Sequence, residues 1–106
     1  MSGLGTITED DDRLDNVHPG SILREDFLVG SEIKVEEVVD GAGLASDYLT
    51  ALLDETQPVD ASADLRLARY FGMSEGFFLG LQIDYDLEEA KRKLSSELDR
   101  IVRRAA

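Results

Sequence analysis

Cysteine and tryptophan are missing from this 106-residue chain, and proline appears only twice. Without cysteine there can be no disulfide and no thiolate metal site, so redox compartment leaves no mark on it. No apolar run approaches the length of a membrane span. The N-terminus also lacks the basic-then-apolar layout of a signal peptide, and the expectation is a soluble, cytoplasmic protein with no membrane contact. Positive charge is scarce: 11 Lys and Arg stand against 23 Asp and Glu, a formal net charge of −12. The imbalance is uneven, at −14 for residues 1–86 and +2 for residues 87–106. Duplex-binding proteins normally carry a basic footprint. An acidic body with a mildly basic end fits solubility, a basic protein partner, or repulsion from nucleic acid. The length allows one domain with tails and one modest core.

What is present is organised around residues 33–57, IKVEEVVDGAGLASDYLTALLDETQ. Val35, Val38, Val39, Ala42 and Leu44, then Leu49, Leu52 and Leu53, fall at helical spacings on either side of a glycine-rich break over residues 41–44. Two short helices joined by such a turn make a helix-turn-helix, although a plain αα-corner gives the same pattern. Gly43 supplies the left-handed conformation that the turn requires. Val39 is expected at the helix crossing, with Leu49 packing back from the second helix.

Residues 1–17 are small and acidic, cannot bury enough apolar surface to offset ordering, and read as a flexible arm. The carboxylate run at residues 9–12 reads as a solvated charge run rather than a metal site. His18-Pro19-Gly20 opens a helix with proline at its first position. Ile22, Leu23, Phe27 and Leu28 line that helix and Gly30 ends it. His18, the lone histidine, reads as a capping or packing residue. After Pro58, Asp60 or Ser62 caps a helix buried through Leu65, Leu67, Ala68 and Phe71 and stopped by Gly72. Ser74 is expected to cap a fifth helix carrying Phe77, Phe78, Leu81 and Ile83. Gly76 and Gly80, four residues apart within it, either leave room for another helix to come close or are simply tolerated there. Asp86 and Glu89 form a capping box that predicts a separate last helix. Its stripe of Leu87, Leu94, Leu98, Ile101 and Ala105 is long for a small core to cover, so this helix either folds back on the core or meets a second copy or a partner. The fold class is therefore all-α, with five or six helices: an arm (1–17), a helix-turn-helix domain (18–86), and a C-terminal amphipathic helix for dimer or partner contact (87–106).

Two ordered blocks, HPGSILREDFL at residues 18–28 and LRLARYFGMSEGFFLGLQIDYDLE at residues 65–88, flank the motif. They resemble the HigA/VapI-type antitoxins, a branch of the Xre/Cro helix-turn-helix family with a lambda-repressor-like fold. The front match comprises His18, Pro19, Gly20, Ile22, Leu23 and Glu25. The rear match runs from Leu65 to Gly72 and continues through Phe77, Leu79, Leu81, Gln82, Tyr85, Asp86 and Leu87, with Phe78 where the family usually has tryptophan. The resemblance implies a dimeric regulator that binds its own operator DNA and neutralises a small basic toxin. It places the DNA-facing positions at Lys34, Ser46, Asp47, Tyr48, Thr50 and Gln57.

The sequence departs from the family at the groove-facing positions. Lys34 and Val35 stand where the family has Ser-Gln, and Ala45 replaces the usual serine cap. Residues 32–57 hold one basic and seven acidic side chains. Duplex affinity comes largely from phosphate neutralisation, and base reading favours Arg, Lys, Asn and Gln. An alternative keeps the fold and assigns the acidic motif to a basic protein instead of DNA. Nothing implies an enzyme, a metal or a cofactor: adjacent Glu36 and Glu37 cannot face one site on a helix, and residues 9–12 are too loose for catalytic geometry.

Overall fold

A computed structural model describes residues 15–105 of the chain. Most of the acidic arm, including the carboxylate run at residues 9–12, lies outside the described residues. The end of the arm is tied down, because Asn16 Nδ2 donates to the Tyr85 carbonyl (2.8 Å) and to Glu89 Oε2 (3.1 Å).

The described residues form helices and no strand. Helix α1 (Pro19–Ile22) passes directly into a π-helical stretch (Leu23–Val29), followed by α2 (Val35–Ala42), α3 (Ser46–Leu53), α4 (Ala61–Phe71) and α5 (Phe77–Asp99). Proline opens α1, and His18 Nδ1 accepts the Gly20 N–H at 2.9 Å. A Cβ on Gly20 would lie 1.9 Å from the Leu52 carbonyl oxygen, so α1 starts against the end of α3. The regular helix expected up to Gly30 instead widens, with Gly30 N–H bonded to the Glu25 carbonyl five residues back (3.1 Å). Leu23 and Leu28 are buried on this stretch, and Phe27 packs edge-on against Phe71 at 5.0 Å.

The glycine turn forms as the spacing predicts, with Gly43 at φ +69°. The helix break is shorter than the sequence implies, since α2 runs through Gly41 and Ala42. Gly41 serves close packing: a Cβ there would meet the Tyr70 ring at 2.2 Å. Val38 is the fully buried residue of α2, whereas Val39 is half-buried; Leu49 packs back from α3 as expected.

Asp60 caps α4 by accepting the Ala63 N–H (2.8 Å), and Gly72 ends the helix at φ +72°. The α4 stripe is Ala63, Asp64, Leu67 and Ala68; Leu65 is half exposed and does not belong to it. The two helices expected after Gly72 are one. Gly76, at φ +93°, precedes α5 where Ser74 was predicted to cap, and the buried Asp64 carboxylate accepts the N–H groups of Gly76 (2.6 Å) and Leu79 (2.8 Å). Asp86 is no cap. It lies in mid-helix and accepts from Gln82 Nε2 (2.9 Å), while Gln82 Oε1 accepts the Val59 N–H (2.8 Å). No breaker stands between Gly80 and Asp86, so continuing the helical ladder keeps every backbone group paired. No neighbouring atom approaches a Cβ built at Gly76 or Gly80 within 4 Å, so neither glycine admits another helix here.

Leu23, Val38, Leu49, Leu52, Leu67 and Phe78 make the centre of the core, each at most 1 % exposed. Helix α5 contributes only Phe78 and Gln82 as buried residues, and its second half projects past the core. Among the described residues no helix is long and apolar enough to cross a membrane.

Candidate nucleic-acid interface

The two helices of the motif are held at their carbonyl ends by arginines from elsewhere in the chain. Arg66 Nη1 donates to the carbonyls of Gly43 (3.1 Å) and Ala42 (3.4 Å), and its Nε donates to Ser62 Oγ (3.3 Å). Arg24 Nη1 donates to the Leu53 carbonyl at the end of α3, and the same guanidinium pairs with Glu25 (3.1 Å) and Glu55 (3.4 Å). Cations at helix C-termini complement the helix dipole and the unpaired carbonyls there. Glu55 sits at φ +66° just beyond α3, a left-handed position unusual for a side-chain-bearing residue. Both arginines are thus committed to positioning the motif.

Four of the sequence-predicted contacts come together. Ser46, Asp47 and Thr50 share the exposed face of α3 and line an open concavity of about 600 Å³ with Ala51, Asp54 and Thr56. Ser46 and Thr50 continue into a second hollow formed with Val35, Glu36, Val39 and Asp40 of α2. Lys34 joins Thr50 and Asp54 along a mainly apolar groove of about 680 Å³ that reaches back to Leu28 and Ile33. Tyr48 is set apart. Its hydroxyl donates to the Pro58 carbonyl (2.6 Å) and it lines a different cleft with Asp60 and Arg66, so it staples the α3–α4 connection. Burial foremost, then the charge of Asp60, raises its pKa. Gln57 is exposed in that connection, one residue before Pro58.

Charge around α3 follows the sequence reading. Glu32, Glu36, Asp40, Asp47 and Asp54 line the three hollows, against Lys34 and the committed Arg24. Asp40 was not singled out in the sequence; its place one turn after Glu36 on a helix face is the signal that finds it. Hydroxyls at Ser46 and Thr50 can donate to phosphate or base edges, and Asp47 can accept from a cytosine amino group. His18 takes no part: its ring is buried, packs edge-on to Tyr85 at 4.9 Å, and has its pKa lowered by burial against the raising pull of Glu55 and Asp86. Among the described residues no group of three or more His, Asp or Glu is placed to hold a metal ion.

A helix exposed behind a glycine turn and braced by the preceding helix defines the helix-turn-helix class, whose second helix enters the major groove. Within that class, the chain belongs to the HigA/VapI-type antitoxins of the Xre/Cro family. It is 30 % identical over 80 residues to virulence-associated protein I of Dichelobacter nodosus, covering 76 % of this chain and 74 % of that protein. It is 28 % identical over 85 residues to the HTH-type transcriptional regulator YbaQ of Escherichia coli K12, covering 78 % and 75 %. Pseudomonas aeruginosa antitoxin HigA, solved with the higBA promoter, superposes with a TM-score of 0.78 at 25 % identity, covering 87 % of this chain and all of that one. PA4674 of the same organism, solved with an 18 bp operator, superposes at 0.80 with 25 % identity, over 88 % and 98 %. No protein-family model matches the chain. These relatives include an antitoxin and a transcriptional regulator, and the chain is not an enzyme.

Proposed function

We propose that the protein is a cytoplasmic antitoxin-type transcriptional regulator that binds operator DNA as a dimer and neutralises a small basic toxin. The body at 18–86 would read the duplex and residues 87–106 would serve contact between copies. The observation that carries this reading is the exposed face of α3, where Ser46, Asp47 and Thr50 are presented together on a helix braced at its end by Arg24. Contacts from Ser46 and Thr50 to phosphate are neutral. Affinity should therefore be modest and the loss with salt shallow, since few counterions are released. Fluorescence anisotropy with the DNA upstream of its own gene, at low and moderate salt, tests it. Saturable binding at low salt supports it, and none at low salt ends it.

A second reading is favoured by the carboxylates of Glu36, Asp40, Asp47 and Asp54 around the same face. In it the motif has lost the duplex and binds a basic protein, the toxin or another regulator. Charge reversal at Glu36, Glu37 or Asp47 should then weaken capture of a small basic partner in a pull-down. Undiminished capture by those variants counts against it.

A further inference from the structure

Helix α5 buries Phe78 and Gln82 against the core. Taking about 100° of rotation per helical residue, Tyr85 and Glu89 continue the same side. Past the core that side changes character, presenting Arg92, Lys93, Ser96 and Arg100 within about 60° of its centre. Asp99 is the one acid among them. Arg92 is bonded to Glu88 of its own helix (3.0 Å), whereas Lys93 and Arg100 are exposed and hold no ion pair among the described residues. Residues 91–104 carry six basic and two acidic side chains in a chain of net charge −12. The N-terminal segment reaches α5 on this same side. His18 packs edge-on to the Tyr85 ring, and two residues earlier Asn16 Nδ2 donates to the Tyr85 carbonyl and to Glu89 Oε2, one turn further on. Traced backwards from His18, the chain therefore advances along α5 toward its C-terminal end.

We infer that the carboxylates of residues 9–12 dock on the Arg92, Lys93 and Arg100 side of α5 in the same chain. The lengths agree. Asp12 stands four residues from Asn16 and Glu9 seven, reaches of up to about 14 Å and 25 Å. Lys93 and Arg100 lie about 6 Å and 16.5 Å beyond Glu89 along the helix axis. Four acids and Arg13 in the arm thus meet three cations and Asp99 on the helix, an attraction that salt screens because both sides are exposed. Leu87, Leu94 and Leu98 lie about 180° away around α5, so the arm leaves that stripe uncovered. The contact neutralises the net-positive end of the chain. The arm then competes with any polyanion, a duplex included, for these cations.

The chain has three lysines, Lys34, Lys91 and Lys93, so zero-length coupling of carboxylate to lysine reports the contact directly. The full chain is treated with a water-soluble carbodiimide at low salt, and the products are located by tandem mass spectrometry. Residues 9–12 should join Lys93 several-fold more often than Lys34 at the start of α2, or Lys91, which lies about 140° from that side of α5. High salt should cut the Lys93 product several-fold. R92Q/R100Q leaves Lys93 in place and should cut it likewise at low salt, with the helical circular dichroism unchanged. An equal mixture of isotope-labelled and unlabelled chains should give products within one isotope only. Absence of the Lys93 product, coupling spread evenly over the three lysines, a yield indifferent to salt and to R92Q/R100Q, or mixed-isotope products each overturns the inference. None of these readings involves DNA, so they stand or fall apart from operator binding.

Discussion

Asp64 holds the start of α5 with a carboxylate that accepts two backbone N–H groups and is 2 % exposed. Asp64→Ala would remove the acceptor of both bonds, and we expect a loss of about 2–3 kcal/mol from two lost hydrogen bonds to a charged group, read from the urea midpoint. His18 gives a pH signature. Its Nδ1 must be unprotonated to accept from Gly20, and burial lowers its pKa below the ordinary 6.5. The folded state therefore binds fewer protons than the unfolded one once pH falls below that value. Stability from this group is complete above about pH 6.5 and declines as pH falls through it. Over that window, where carboxylates stay ionised, His18→Asn retains a capping oxygen and should flatten the decline; an equally steep slope in the variant would assign the effect elsewhere.

At the scale of elements, the motif turn depends on glycine twice and for different reasons. Gly43 needs its positive φ, so Gly43→Ala should cost about 1 kcal/mol through backbone strain. Gly41 needs the absence of a Cβ, because Tyr70 occupies that space. Gly41→Ala should cost about 1–3 kcal/mol by overpacking and separate α2 from α4. Thermal unfolding of the two variants checks both figures. Gly43, Gly72, Asp60 and His18 were legible in the sequence because each acts within a few residues of itself. Asp86 misled for the complementary reason. Its capping-box spacing is local, whereas the continuity of α5 goes with a tie from Gln82 to Val59, 23 residues away. The same limit hid the π-helical stretch, the exposure of Leu65, and the turn of Tyr48 toward Pro58. The placing of Ser46, Asp47 and Thr50 together on α3 followed from the family resemblance, but the commitment of Arg24 and Arg66 to helix ends was not legible.

For the molecule as a whole, the fold presents an exposed face of α3 and surrounds it with negative charge. Neutralising Asp47 and Asp54 together (D47N/D54N) removes like-charge repulsion without disturbing the core, since both are exposed. It should tighten duplex binding at low salt. Replacing Thr50 with lysine should add one phosphate contact and steepen the salt dependence by about 0.9 in the logarithmic slope. The most direct measurement is anisotropy of labelled upstream DNA titrated with the parent chain and with D47N/D54N at low salt, beside a scrambled duplex. The account predicts saturable binding by the parent, tighter binding by the variant, and preference of both for the upstream sequence. No binding by either protein, or equal binding to the scrambled duplex, would contradict it.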